Sequence, residues 1–306
     1  MFLYTLDNKR YQTLNYFYKK KFGKKVFKVS LNLGLDCPNK VNGQGCIFCS
    51  NGSGDFAGNK EDDLITQFNE VKERMEKKWP DAYYIGYFQA GTNTYAPLDF
   101  LKKSYECILS LPNVVGLNIA TRSDAISPSV MDYLEELNKK TFLTIELGLQ
   151  SIHEDTLKFI RRGHSLDNFR DCVLELKKRH INVVVHIING LPNETKEMMV
   201  ETVRYLNDLG IDGIKIHMLH ILKDTPLAKY YNSNKFHVLT KEEYIDIVCE
   251  QLANLDSSVV IHRITGDPKR EDLIEPTWLL KKFCVLNDID KEMKMRDIYQ
   301  GCKLSK

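Results

Sequence analysis

Residues 26–50, VFKVSLNLGLDCPNKVNGQGCIFCS, run a β-rich segment directly into a glycine-rich loop that carries Cys37, Cys46 and Cys49. Structural zinc takes four ligands, and neither a histidine nor a fourth cysteine lies near this loop, so a closed zinc site would need a distant partner. A cubane iron–sulfur cluster also normally takes four thiolates; held by three, it keeps one iron open to an outside ligand. Three cysteines at the end of a strand therefore suggest a cluster that binds something.

The same run of strand into loop recurs along the chain. Short β-rich stretches occur at VFKVSLNLG, AYYIGYFQAG, VVGLNIATR, FLTIELGLQ, INVVVHIING and GIKIHMLHIL, each followed by a stretch of helical periodicity. In SPSVMDYLEELNKK, Ser127 fits an N-cap and Pro128 the first helical position. After GLPNE, Met199, Val203 and Leu206 share one helical face that ends at Gly210, with Asn193 as the expected N-cap. Six strand–helix repeats predict parallel strands joined by right-handed crossovers. The expected fold is α/β: a partial (β/α)6 barrel over residues 29–225, preceded by an N-terminal arm (1–28) and closed by a C-terminal extension (226–306).

Chemistry in such folds sits at the C-terminal ends of the strands. There lie the cysteine loop, QAGTNTY (89–95), ATRSD (120–124), LGLQS (147–151), NGLPNE (189–194) and HMLHILK (217–223). Six polar or glycine-rich ends at one rim outline one pocket.

The 306 residues carry 43 basic and 41 acidic side chains, with 43% hydrophobic and 27% charged content, as in soluble globular proteins. No apolar run reaches the roughly 18 residues of a membrane span, and MFLYTLDNKR lacks a signal peptide's apolar stretch, so a cytoplasmic protein is expected. In a reducing compartment the five other cysteines read as packed or unpaired thiols, not disulfides. The arm is strongly basic: Lys9, Arg10, Lys19, Lys20, Lys21, Lys24, Lys25 and Lys28 face a single Asp7. Tyr11, Tyr16, Phe17, Tyr18, Phe22 and Phe27 are interleaved with them, as a phosphate-plus-stacking surface for RNA requires. The alternative is a solvated basic helix whose aromatics dock on the body.

Taken together, KVFKVSLNLGLDCPN, SGDFAGN, YFQAGTNTYAP, ELGLQS with IRRGH, HIINGLP and HRITGD resemble the radical S-adenosylmethionine (SAM) superfamily. More narrowly, they are similar to the branch that holds the Elongator catalytic subunit and the bacterial enzymes that convert carboxymethylaminomethyl to aminomethyl at the wobble uridine of tRNA. The resemblance implies a 4Fe-4S cluster on Cys37, Cys46 and Cys49, its open iron chelated by adenosylmethionine. It implies Phe48 beside adenine, carbonyls of Ala90, Gly91 and Thr92 on the cofactor's ammonium, and polar contacts from Gln150 and Arg162. It places His186 where other branches carry an aspartate for the ribose. Arginine suits a carboxylate because its fork binds bidentately.

On the same footing it implies tRNA, at its anticodon, as substrate and an electron donor such as a flavodoxin or a ferredoxin. Cleavage of adenosylmethionine would supply a 5'-deoxyadenosyl radical that abstracts hydrogen beside the substrate carboxylate. His217, His220, Lys223, Arg263 and Asp267 are the polar groups available for the later steps. A regular strand cannot place both His217 and His220 on one face, so at most one should enter the pocket. Lys19, Lys20, Lys21, Lys24 and Lys25 are the expected phosphate contacts. No acetyl-CoA chemistry is expected. A radical enzyme acting on a small molecule or another nucleoside, and a cluster-bearing RNA-binding or redox-sensing module without turnover, are the alternatives.

Overall fold

The structure, a computed structural model, describes residues 7–50 and 57–304, so residues 53–56 of the SGDFAGN stretch lie outside the described residues. Seven parallel strands make one curled sheet in the order β1 (Val26–Leu31), β2 (Tyr83–Phe88), β3 (Val114–Thr121), β4 (Phe142–Gln150), β5 (Asn182–Asn189), β6 (Gly213–Met218) and β8 (Val260–Arg263). A small antiparallel pair, β7 (Ile221–Leu222) with β9 (Leu273–Glu275), stands apart. Six of the seven strands are those the alternation predicts. The seventh comes from the C-terminal extension and is too short to show a period.

Helices cover the strands on the outside, so the strands are buried on both faces and read as apolar runs; Val183, Val184 and Val185 are consecutive and all buried. Ser127 caps the helix Pro128–Asn138, accepting from the Val130 amide at 3.4 Å, as its sequence predicts. The helix Lys196–Asp208 buries Met199, Val203 and Leu206, and Gly210 follows it with φ +62°. Its cap is Thr195, not Asn193. Asn193 instead turns the chain two residues earlier at φ +69°, a left-handed conformation that asparagine tolerates.

The sheet curls until its first and last strands approach: Lys28 Nζ on β1 lies 3.1 Å from His262 Nδ1 on β8. Thr13 forms a parallel bridge with Ile261, and the helix Leu14–Phe22 follows it across the gap. Phe17, Tyr18 and Phe22 surround Phe142, with ring centroids 6.1, 6.5 and 5.7 Å away. Because Phe142 opens β4, this basic helix sits at the N-terminal ends of the strands. Three aromatics expected as stacking partners for RNA are thus spent on docking the arm. Among the described residues no helix is long and apolar enough to cross a membrane.

Candidate functional site

At the opposite ends of the strands, β1 feeds the cysteine loop. The Cys37 carbonyl accepts from the Lys40 and Val41 amides at 2.8 and 3.0 Å, starting the short helix Pro38–Val41. The segment between Cys46 and Cys49 is clamped from both sides: Ile47 donates to Ile160 O at 3.1 Å and accepts from the Leu227 amide at 2.9 Å. Phe48 packs on the apolar group around Ile160 and Leu219. Asn39 Nδ2 lies 3.5 Å from Cys46 Sγ. A hydrogen bond from Cys49 pushes the Cys46 thiol down to about 6 against its burial, with Arg162 and Arg122 adding their charge. The thiolate is the metal-ligating form of cysteine.

Cys37, Cys46 and Cys49 line a cavity of about 700 Å³, and so do Phe48, Ala90, Gly91, Thr92, Gln150, Arg162 and His186. Every residue that the sequence assigns to cluster or cofactor is therefore on one wall system, supplied by β1 to β5. Gly91 has φ +75°, and a Cβ there would stand 2.1 Å from the Leu35 carbonyl oxygen, so this loop and the cysteine loop pack through a missing side chain. Gln150 follows a bulge in β4 and holds φ +68°, an uncommon conformation for a side chain of its size. Its Oε1 and the Nε of Arg162 are buried without a partner among the described residues. Arg162, only 4% exposed, donates to Gly148 O and is itself approached by Arg122, which donates to Arg162 O at 3.0 Å. Burial and Arg122 push its guanidinium down to about 10, which leaves it cationic at neutral pH.

Beneath this wall lies a network that the sequence reading missed. Glu146 on β4 is buried, and its carboxylate accepts from Lys28 Nζ (2.9 Å), Asn118 Nδ2 (2.7 Å), Tyr87 OH (2.7 Å) and Lys215 Nζ (2.5 Å), with His186 Nε2 at 2.9 Å. Burial works to raise the Glu146 carboxyl, but Lys215 and Lys28 hold it well below the usual range. Burial and Lys215 push His186 down to about 4, so its ring is neutral at pH 7. One of its nitrogens is committed to Glu146. The signal was present: a charge stands inside each of the apolar strands VFKVSL, FLTIELGLQ and GIKIHM.

The remaining candidates are dispersed. His217 lies 5.2 Å from His186, centroid to centroid, and its Nε2 is buried without a partner among the described residues. His220 packs under the loop after β8, where a Cβ on Gly266 would stand 2.0 Å from its Nε2. Of this pair His217 is the one beside the cavity wall. Lys223 is exposed beside the β7–β9 pair, its amide bonded to Asp272 O at 2.8 Å, and does not line the cavity. Asp267 is taken by Lys282 at 2.5 Å. Arg263 ends β8 next to Lys215. The arm lysines are at the far end: Lys21 Nζ lies 4.6 Å from the Phe142 ring, Lys24 Nζ 5.1 Å from Tyr83, and Lys25 Nζ donates to Asn15 Oδ1 at 2.7 Å. Their helix, and not a path from the rim, sets where they point. Size alone does not pick the site, since a larger groove of about 1110 Å³ around Trp278 holds none of these candidates.

The family model described as Radical SAM superfamily matches residues 31–206, and that of the Radical_SAM C-terminal domain matches residues 211–295. The chain belongs to the radical SAM superfamily. It is 50% identical over 304 residues to YtqA of Bacillus subtilis, covering 98% of this chain and 94% of that protein. It is 28% identical over 156 residues to the tRNA uridine(34) acetyltransferase of Methanocaldococcus infernus, covering 50% of this chain and 29% of that one. The fold matches that of Methanocaldococcus infernus Elp3 with a TM-score of 0.68 at 18% identity, over 90% of this chain and 64% of the other. Membership implies a 4Fe-4S cluster and adenosylmethionine, and the donor set fits both: three thiols on one cavity, one of them drawn toward thiolate, facing unpartnered Gln150 and Arg162 atoms.

Proposed function

We propose that this radical SAM enzyme acts on the wobble uridine of tRNA and converts a carboxymethylaminomethyl group to aminomethyl. One observation carries the enzymatic part: three thiols, the unpartnered Gln150 and Arg162 atoms and the buried Glu146 network meet at one cavity. A sensor needs no such chelating and charged wall. The tRNA part is supported by the kinship with Elp3 and with a tRNA uridine(34) acetyltransferase.

In this reading Cys37, Cys46 and Cys49 hold the cluster, which with adenosylmethionine supplies a hydrogen-abstracting radical. The protein's own residues position and protect. Ala90, Gly91 and Thr92 offer backbone carbonyls to the cofactor's ammonium, and Arg162 and Gln150 hold its polar end. Phe48 covers the adenine, and His186 reaches the ribose through the nitrogen that Glu146 does not engage. His217, on β6 beside His186, stands on the substrate side; burial holds it neutral, and its unpartnered Nε2 is free to hydrogen-bond the substrate nitrogen. Oxidation of the substrate amine to an imine takes two electrons: one would leave with the hydrogen atom abstracted beside the carboxylate, the second would return to the cluster, and the nitrogen's proton would pass to water; hydrolysis of that imine leaves the aminomethyl base and a two-carbon aldehyde acid. Electrons come from a donor of the flavodoxin or ferredoxin type.

The test is a nucleoside inventory of tRNA from cells with and without the gene. Loss of the aminomethyl form with accumulation of the carboxymethylaminomethyl form is expected; identical inventories would overturn the wobble-uridine reading. For the cofactor wall, Arg162→Ala should weaken adenosylmethionine binding about 10- to 100-fold, the loss of a charge-assisted hydrogen bond. Equal affinity in equilibrium binding would remove Arg162 from the cofactor site.

Lys19, Lys20, Lys21, Lys24 and Lys25 belong to the proposal as contacts to phosphates remote from the modified base, given their place at the far end of the strands. Replacing all five with glutamine should reduce the salt dependence of tRNA binding by something under one logarithmic unit per contact and spare adenosylmethionine binding. An unchanged salt slope would make them a solvated face.

A further inference from the structure

The Glu146 network is out of charge balance. Lys28 and Lys215 both donate to its carboxylate, and Arg263 is the register partner of Lys215 across β6 and β8, on the same face of the sheet. The positive charge of Arg263 is felt at Lys28, Lys215, Tyr87 and His217. Two lysines thus share one buried carboxylate, and the exposed Arg263 adds a third positive charge beside them. Asp267, the acid nearest Arg263 in sequence, is engaged by Lys282. An uncompensated charge in a low-dielectric interior is costly, and the cost falls when a counter-ion arrives.

The donors are also incompletely used. An ammonium has three N–H groups; Lys28 spends two on Glu146 and His262, and Lys215 spends two on Glu146 and the Tyr87 hydroxyl. Among the described residues the Arg263 guanidinium, at the exposed end of β8, has no hydrogen-bond or ion-pair partner. The set is not sealed in the core. Glu146 and His186 line the large cavity, and Arg263 and His262 line a smaller one of about 310 Å³ on the seam between the first and last strands.

We propose that Lys215, Lys28 and Arg263 form an anion subsite beneath the cavity, and that it takes a carboxylate carried on the substrate's side chain. Naming a substrate carboxylate rests on the function proposed above; the subsite itself does not. A carboxylate fits better than a backbone phosphate, because Glu146, which holds Lys28 and Lys215, lines the cavity, where the substituent of a flipped base can enter and a sugar–phosphate chain cannot. A carboxymethylamino group would place its acid on these cations. The aminomethyl product has no carboxylate and would lose that contact, which favours its release.

The subsite has a protonic signature. Burial pushes Lys215 down to about 7, with Lys28 and Arg263 acting in the same direction and Glu146 against them. The other groups facing it, Tyr87, His186, His217 and His262, are neutral near pH 7. An added anion raises the affinity of Lys215 for its proton, so binding above pH 7 takes up a proton.

The test uses cluster-free full-length protein, N-methylglycine as probe and its amide, which lacks the carboxylate, as control, by calorimetry at pH 8 in two low-chloride buffers of different ionisation enthalpy. N-methylglycine should bind with proton uptake and the amide should not. Lys215→Met and Arg263→Gln should each weaken binding about tenfold or more, by loss of a charged donor, while Arg162→Ala leaves it unchanged. Lys215→Arg, which keeps the charge, and Arg263→Gln, at an exposed strand end, remain informative if Lys215→Met does not fold. Absence of binding, or binding that only Arg162→Ala removes, overturns the subsite. Neither cluster nor tRNA takes part, so an unaltered tRNA inventory would sink the wobble-uridine reading while leaving this result intact, and a failed titration would sink the subsite even if the inventory changed.

Discussion

Replacing Cys46 with alanine is expected to bring the anaerobically reconstituted protein from about four irons and four sulfides to background, because two thiolates do not retain a cubane. The loop gives a reason to expect loss rather than rearrangement. Cys46 sits between the Asn39 contact and the Ile47 clamp, which ties the loop to Ile160 on one side and Leu227 on the other. None of the other five cysteines is among the residues lining this cavity. Iron and sulfide analysis with the charge-transfer absorption of the cluster reads the outcome. One tightly held zinc and no sulfide in the anaerobically purified parent would overturn the cluster assignment.

Glu146→Gln is the substitution expected to cost most in stability, about 3 to 5 kcal/mol, since it removes the carboxylate that pairs with both Lys28 and Lys215 and leaves them either uncompensated or forced to give up a proton. Denaturant titration measures it. The loss should depend on pH with a definite sign. The Glu146 carboxyl titrates far below its unfolded value, so its contribution is complete at pH 6 and is lost only in strong acid. Lys215 in the parent gives up its proton near pH 7, and without Glu146 it does so at still lower pH. Around neutrality the parent's folded state therefore holds a proton that the variant's does not. By linkage the difference in stability shrinks as pH rises, and the cost should be larger at pH 6 than at pH 9. A pH-independent cost would mean that packing, and not charge, is what Glu146 supplies.

What the sequence disclosed was local. The spacing of Cys37, Cys46 and Cys49, the six alternating strands and the polar strand ends are short-range patterns; they outlined the pocket, and the family resemblance carried by the same motifs added the cofactor contacts, ten residues in all on one cavity. Glu146, Lys28 and Lys215 were not legible as a unit because their meeting depends on strand register and curl, which bring β1, β4 and β6 side chains together across more than a hundred residues of chain. Each does break an apolar strand, and that break is the clue to keep. Asn193 misled because the same residue type that caps helices also accepts the left-handed turn before one. The arm misled for a different reason: interleaved charge and aromatics describe a surface, but the pattern does not say which end of a barrel that surface covers.

The chain's two ends are fastened to each other. Lys9 pairs with Asp290 across 281 residues, Arg10 with Asp297, the Gln12 amide with Gln300, and Thr13 with Ile261. During translation at about 5 to 20 residues per second, the segment that plugs the seam leaves the ribosome roughly 15 to 55 s before the residues that receive it. Until then a nascent chain carries β1 with an open edge, Lys28 without its His262 contact, and a detached basic, aromatic helix, a state open to chaperones and to stray pairing. The contacts that complete the half-barrel are among the most distant in sequence, which places closure late and makes it slow. Release of a chain cut short before residue 260 would leave that edge permanently unmet.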